Sequence, residues 1–143
     1  MNHQAMRFVL GSLVCGLAMQ AGAQESKPLG TEQVARGALT PAYGRCMETT
    51  GTTTIGMHGC IATESTLQDA RLNRVYSAVL KLLPPARQKK LRDVQRAWIK
   101  FRDADCIFLH DPDGGTLAGV SSAACFMRKT AERAGDLEEL LPR

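Results

Sequence analysis

Between Leu91 and Phe108 apolar residues recur at alternating steps of three and four: Leu91, Val94, Trp98, Phe101, then Asp105 in an otherwise apolar register, then Phe108. This spacing predicts a helix whose seam faces other helices, interrupted only by Asp105. Upstream, Ile61, Leu72, Val75, Val79 and Leu82 follow the same period, with charges on the other faces, and predict a long helix from about Thr54 to about Leu82. Downstream, Val120, Ala124, Met127, Ala131, Ala134, Leu137 and Leu141 predict a last helix that ends at Pro142. A shorter helix around Cys46 precedes them. No stretch reads as a strand.

The breaks between these runs have chemical causes. Pro84-Pro85 ends the second helix, because a residue before proline is pushed out of the helical region, and Pro85 suits the first position of the next helix. Asp111-Pro112-Asp113-Gly114-Gly115 combines turn formers with a proline and two glycines. The run Thr49-Thr50-Gly51-Thr52-Thr53-Thr54 suits a loop followed by a helix cap. Short connections make neighbouring helices antiparallel. The expected fold is therefore all-α: an up-and-down bundle of three long helices plus a short N-terminal one.

The amino terminus changes the picture of where this bundle folds. Arg7 precedes a mostly apolar stretch, Phe8 to Met19, and then Ala21-Gly22-Ala23, the pattern of a secretory signal cleaved near Ala23. The stretch is shorter than a membrane span and contains Gly11, Ser12 and Gly16. Cys15 follows Val14 where lipid processing wants a small residue, which argues against a lipoprotein. Residues 1–23 thus read as a signal peptide, 24–41 as a polar, flexible lead-in, and 42–143 as the helical domain. The destination is the periplasm or the exterior.

Without that peptide five cysteines become four, Cys46, Cys60, Cys106 and Cys125, an even number suited to two disulfides in an oxidising compartment. None lies in a C-x-x-C pair, which removes the usual zinc and thioredoxin patterns. Cys106 sits about a turn before the end of the third helix, so an antiparallel partner about a turn into the fourth is Cys125. That match requires the fourth helix to begin near Ser121 or Ser122, with 116–120 as a separate turn. Cys46 then joins Cys60 by elimination.

Formal charge is +4, and +3 without Arg7, with both signs interspersed along the helical stretches. Such a balance gives no electrostatic case for nucleic acid or an anionic membrane surface. Catalysis finds no nucleophile motif, and only His58 and His110 remain as histidines of the mature chain. Asp103 and Asp105, two apart, point to different faces of a helix. Asp111-x-Asp113-Gly114 lacks the remaining ligands of a calcium loop. The reading is a non-enzyme without cofactor or metal.

Three stretches together resemble the LprI-like lysozyme inhibitors, a family of exported bacterial proteins. The first is Cys60 with Asp69-Ala70-Arg71-Leu72-Asn73 and Tyr76. The second is Gln95-Arg96-Ala97-Trp98, then Phe101-Arg102-Asp103-Ala104-Asp105-Cys106. The third is Gly114-Gly115 followed by Cys125, Thr130 and Arg133. The resemblance spans most of 43–141 and implies a helical, disulfide-bonded envelope domain whose named activity is inhibition of lysozyme.

Its motif residues also have a structural explanation: the Arg102 guanidinium lies over Trp98 or bonds a neighbouring helix, with Tyr76 or Asn73 as oxygen partners. Asp69, Asn73, Gln95, Arg102 and Asp103 on this reading mainly fix helix register. If lysozyme is the partner, the candidate wedges are the Thr49–His58 loop and the loop from His110 through Asp111, Asp113, Gly114 and Gly115 to Gly119. The aspartates there suit a basic rim around a cleft. The alternative is a non-inhibitory periplasmic structural or interaction module.

Overall fold

A computed structural model of the chain describes residues 37–142; the stretch expected to be a signal peptide (1–23) and most of the expected lead-in (24–41) lie outside them. Four helices follow one another: α1 (Pro41–Thr50), α2 (Thr54–Leu82), α3 (Pro85–Phe108) and α4 (Gly115–Glu138), with no strand among the described residues. The protein is an all-α bundle stapled by two disulfides, Cys46–Cys60 and Cys106–Cys125.

The helix boundaries follow local chemistry. Thr40 caps α1, its hydroxyl accepting from the Tyr43 amide at 3.2 Å ahead of Pro41. Thr53 caps α2 in the same way, accepting from the Gly56 amide at 3.0 Å. Leu83 and Pro84 are extended, ending α2, and α3 starts without a side-chain cap, as the Pro84-Pro85 pair predicts. The α1–α2 corner is closed so tightly that a Cβ on Gly56 would stand 1.7 Å from the Thr50 carbonyl oxygen.

α2 and α4 lie side by side and run in the same direction. Ile61 clusters with Val120 and Met127 near their starts; Leu72, Val75 and Val79 cluster with Ala134 and Leu137 further along. Arg71 crosses this seam to Glu138 as a fork, at 2.8 and 2.5 Å. The middle helix, α3, returns between them in sequence and packs chiefly on α4. Cys106 is the only buried residue of α3.

Two expectations fail for one geometric reason each. The Leu91-to-Phe108 seam does not face the bundle throughout: Val94 is 52%, Phe101 58% and Phe108 84% exposed. A strict 3.5-residue repeat drifts by about 20° per heptad on a straight helix. The inward face instead follows Gln88, Leu91, Gln95, Trp98, Arg102 and Cys106, which keeps closer to 3.6. Asp105, on the outer flank, pairs with Lys129 at 3.0 Å.

The fourth helix does not wait until Ser121 or Ser122; it starts at Gly115 and runs unbroken. Level helix ends were the wrong premise. α4 begins level with α2, above the end of α3, and residues 109–114 climb the difference, well within the reach of about 20 Å that six extended residues have. Ser122 does not cap; its hydroxyl donates to the Cys106 carbonyl at 2.8 Å.

The end of the lead-in is tied down. Glu64, buried in α2, accepts from the Thr40 amide at 2.9 Å, the Thr40 hydroxyl at 2.6 Å and the Gln68 amide at 2.7 Å. Burial opposes ionisation of this carboxyl most strongly, but the Thr40 hydroxyl, the Gln68 amide and the Thr40 backbone together outweigh it and hold it below its ordinary value of 4.5. The hydrogen bonds from Arg71 outweigh partial burial to lower Glu138 as well.

Both carboxyls therefore add stability that is complete above the unfolded value and lost as pH falls through the depressed folded one. Urea midpoints should drop as pH is lowered from 5 toward 3, and Glu64→Gln should flatten that fall. At neutral pH the same change should cost about 1–3 kcal/mol, since charged hydrogen bonds are lost. An unchanged acid limb would refute the assignment. Replacing Cys106 and Cys125 together by alanine should lower stability by on the order of 3 kcal/mol in the same titration, for a bridge across 19 positions.

Candidate functional site

The residues that carry the family resemblance sort into two regions. Along the α3–α4 contact, the Arg102 guanidinium lies 5.0 Å from the Trp98 ring and 5.4 Å from the Phe126 ring. Its partners are Asp103, at 2.9 and 2.8 Å, and the Thr130 hydroxyl at 3.4 Å, rather than Tyr76 or Asn73. One turn toward the other end of α3, Arg133 donates to the Gln95 side-chain oxygen at 3.0 Å, with its guanidinium 5.8 Å from Trp98. Burial draws Arg133 down from the ordinary guanidinium value, with Asp136 opposing.

The α2 stretch is divided by burial. Leu72 is in the core and Tyr76 packs on its edge, while Arg71 forms the fork to Glu138 and also donates to Gln68 at 3.2 Å. Asp69 and Asn73 point outward and are exposed. Asp105, Cys106 and Cys125 offer donor atoms close together, but the two cysteines are bonded to each other, so no thiolate is present to ligate a metal.

The second region is the end of the bundle where α2 and α4 begin and α3 stops. After Phe108 the chain turns through Leu109, and the His110 amide donates to the Ile107 carbonyl at 2.9 Å. Asp111 then builds a tight turn from both its groups: its carboxylate accepts from the Asp113 amide at 2.9 Å and its carbonyl from the Gly114 amide at 3.1 Å. Gly115 follows at φ 62°, a left-handed conformation that a side chain would strain. Asp111 and Asp113 are exposed, and neither forms an ion pair with another described residue.

The sequence treated the two candidate loops separately; the structure brings them together. A Cβ on Gly119 would stand 3.6 Å from His58 Nε2 and 3.9 Å from His110 Nε2, so the two imidazoles flank one bare stretch of α4. At the same end Ile55 is 84% exposed, Phe108 84% and Leu117 55%. Nothing local in the sequence marks His58, Ile55, Phe108 or Leu117 as neighbours of the His110–Gly115 turn. Only the parallel register of α2 and α4, a long-range property, places them beside it.

Among the described residues this arrangement holds no nucleophile–base pair; it gathers two histidines, two exposed carboxylates and three exposed apolar side chains at one end of the bundle. A family model described as lysozyme inhibitor LprI matches residues 46–137, from the first bonded cysteine to the end of the α2–α4 seam. No curated protein and no solved structure matches the chain. The match takes in both disulfides, the belt around Trp98 and both loops at the convergent end, and on it the chain belongs to the LprI lysozyme inhibitor family.

Proposed function

We propose that this protein is an exported envelope protein that binds lysozyme and blocks its cleft with the end of the bundle built from residues 49–58 and 110–119, in each case a short connection together with the first turn of the helix that follows it. The observation that carries this reading is the family match over residues 46–137. Two disulfides, which fit an oxidising compartment, support the location.

The end has the parts that blocking a glycosidase cleft requires. Lysozyme works with two carboxyl groups inside a groove. His58 and His110, adjacent over Gly119, present N–H donors toward such a pair. Ile55, Phe108 and Leu117 supply apolar area that is already exposed and therefore needs no rearrangement to bind. Asp111 and Asp113, held in a turn by local hydrogen bonds, meet a basic rim. A net charge of +3 once residues 1–23 are removed gives no long-range attraction to a basic lysozyme, so local complementarity carries the association.

Purified protein titrated against chicken-type and goose-type lysozymes in a cell-lysis assay tests the reading. Lysis should slow at micromolar or lower concentrations for at least one type. Phe108→Ala, at an exposed position, should weaken inhibition by roughly tenfold or more without loss of stability, as for a central anchor. Asp111→Ala with Asp113→Ala should slow association and reduce its salt dependence. If neither enzyme is slowed, the inhibitor reading fails. If inhibition persists undiminished in all of these variants, the function stands and the surface is elsewhere.

A further inference from the structure

The end of the bundle remote from the two loops carries a different surface. Val79, Leu82 and Leu83 from α2 and the turn after it, Leu91 and Val94 from α3, and Leu140 beyond α4 line an open groove of about 370 Å³. It exists because α3 packs on α4 and scarcely on α2, which leaves the apolar C-terminal turn of α2 uncovered. Leu82 is 56% and Leu140 60% exposed. The remaining lining residues are Arg87 and Lys90, whose side chains pair with no acid and no hydrogen-bonding group among the described residues.

The charges of α3 are segregated about this groove. At about 100° per residue, Arg87 and Lys90 share one sector of the helix with Leu91 and Val94, whereas Lys89, Arg92, Arg96 and Lys100 lie on the opposite side. Asp93, on the flank between the two sides, pairs with Lys89 and Arg96 of the far side. The two cations at the groove have no such neutralising partner. The even mixing of charge along the sequence therefore conceals a local site.

We infer that this groove binds a single-chain amphiphilic anion, a long-chain carboxylate, with its alkyl chain on Val79, Leu82, Leu91, Val94 and Leu140 and its head group on Arg87 and Lys90. The groove is at the lower end of the size range of small-ligand sites, which suits one alkyl chain. An apolar floor under two unpaired cations is the complement of one polar end on one apolar tail. The fork of a guanidinium matches a carboxylate in two hydrogen bonds, and the lysine stem covers apolar surface while its ammonium stays in water.

Calorimetric titration of the full oxidised chain with laurate, kept below its micelle concentration, tests this inference. Saturable binding with one site is expected, and uncharged dodecyl maltoside should bind at least tenfold more weakly. Arg87→Gln with Lys90→Gln should weaken laurate binding tenfold or more. Arg92→Gln with Lys100→Gln, which removes the same charge from the far side, should leave it unchanged. Val94→Asp, at a half-exposed position that folding tolerates, should abolish it by placing a carboxylate at the mouth.

Equal losses in the two double variants would reduce the effect to net charge and overturn the site. So would equal affinity for the maltoside, binding to anionic vesicles without binding to monomeric laurate, or a dimer in sedimentation that Val94→Asp dissociates, since a second copy would then fill the groove. Laurate binding without any effect on lysozyme would leave the inference intact, because the two surfaces occupy opposite ends.

Discussion

The parallel register of α2 and α4 is the constraint from which the rest of this structure follows. Two helices that start at one level and run the same way must be joined by a crossover, and α3 is that crossover. The buried face of α4 is rich in small residues, among them Ala118, Ala131, Ala134 and Gly135, and side chains of this size let helix backbones approach. Arg71 and Glu138 fix the register with a two-point contact that a one-turn slip would break. The climb of residues 109–114, the meeting of His58 with His110 and the uncovered end of α2 are all consequences.

α3 is held differently from its neighbours. With Cys106 as its only buried residue, it gains little from apolar burial and relies on a covalent bridge and a polar belt. In that belt each group has a directional partner: Arg102 with Asp103 and Thr130, Arg133 with Gln95, and both guanidinium groups against Trp98. Such contacts contribute modest net energy compared with core packing, yet they specify orientation. The helix can therefore leave one flank exposed without losing its place.

Much of the fold was legible because its determinants are local. The Thr-rich cap, the Pro84-Pro85 break and the count of four cysteines act over a few residues or through simple arithmetic, and they gave α2, the start of α3 and the number of bridges. The pairing, ranked from helix heights, is the one found although α4 starts earlier than that ranking assumed. What stayed hidden is non-local. A repeat of three and four marked Phe101 and Phe108 as inward, but a straight helix rotates them off the contact. The start of α4 depended on how far α2 extends beyond α3, which no stretch of sequence encodes by itself. The His110 turn was visible from its Asp, Pro and Gly residues; His58 and Gly119, far apart in sequence, give no signal of meeting.

The Cys106–Cys125 bridge connects this architecture to the convergent end. The climbing loop leaves α3 within a few residues of Cys106 and re-enters α4 at Gly115, so the bridge, together with the Ser122 contact to the Cys106 carbonyl, anchors the base of the loop on both sides. Within the loop, the Asp111 turn and the left-handed Gly115 leave few conformations to the tip. A surface restrained in this way surrenders less freedom on binding, and the saved ordering cost appears directly as affinity. Oxidation thus does more than stabilise a small core: it shapes the end that the lysozyme-binding reading depends on, while the groove some 40 Å away, at the far end of the 29 residues of α2, is built without a cysteine.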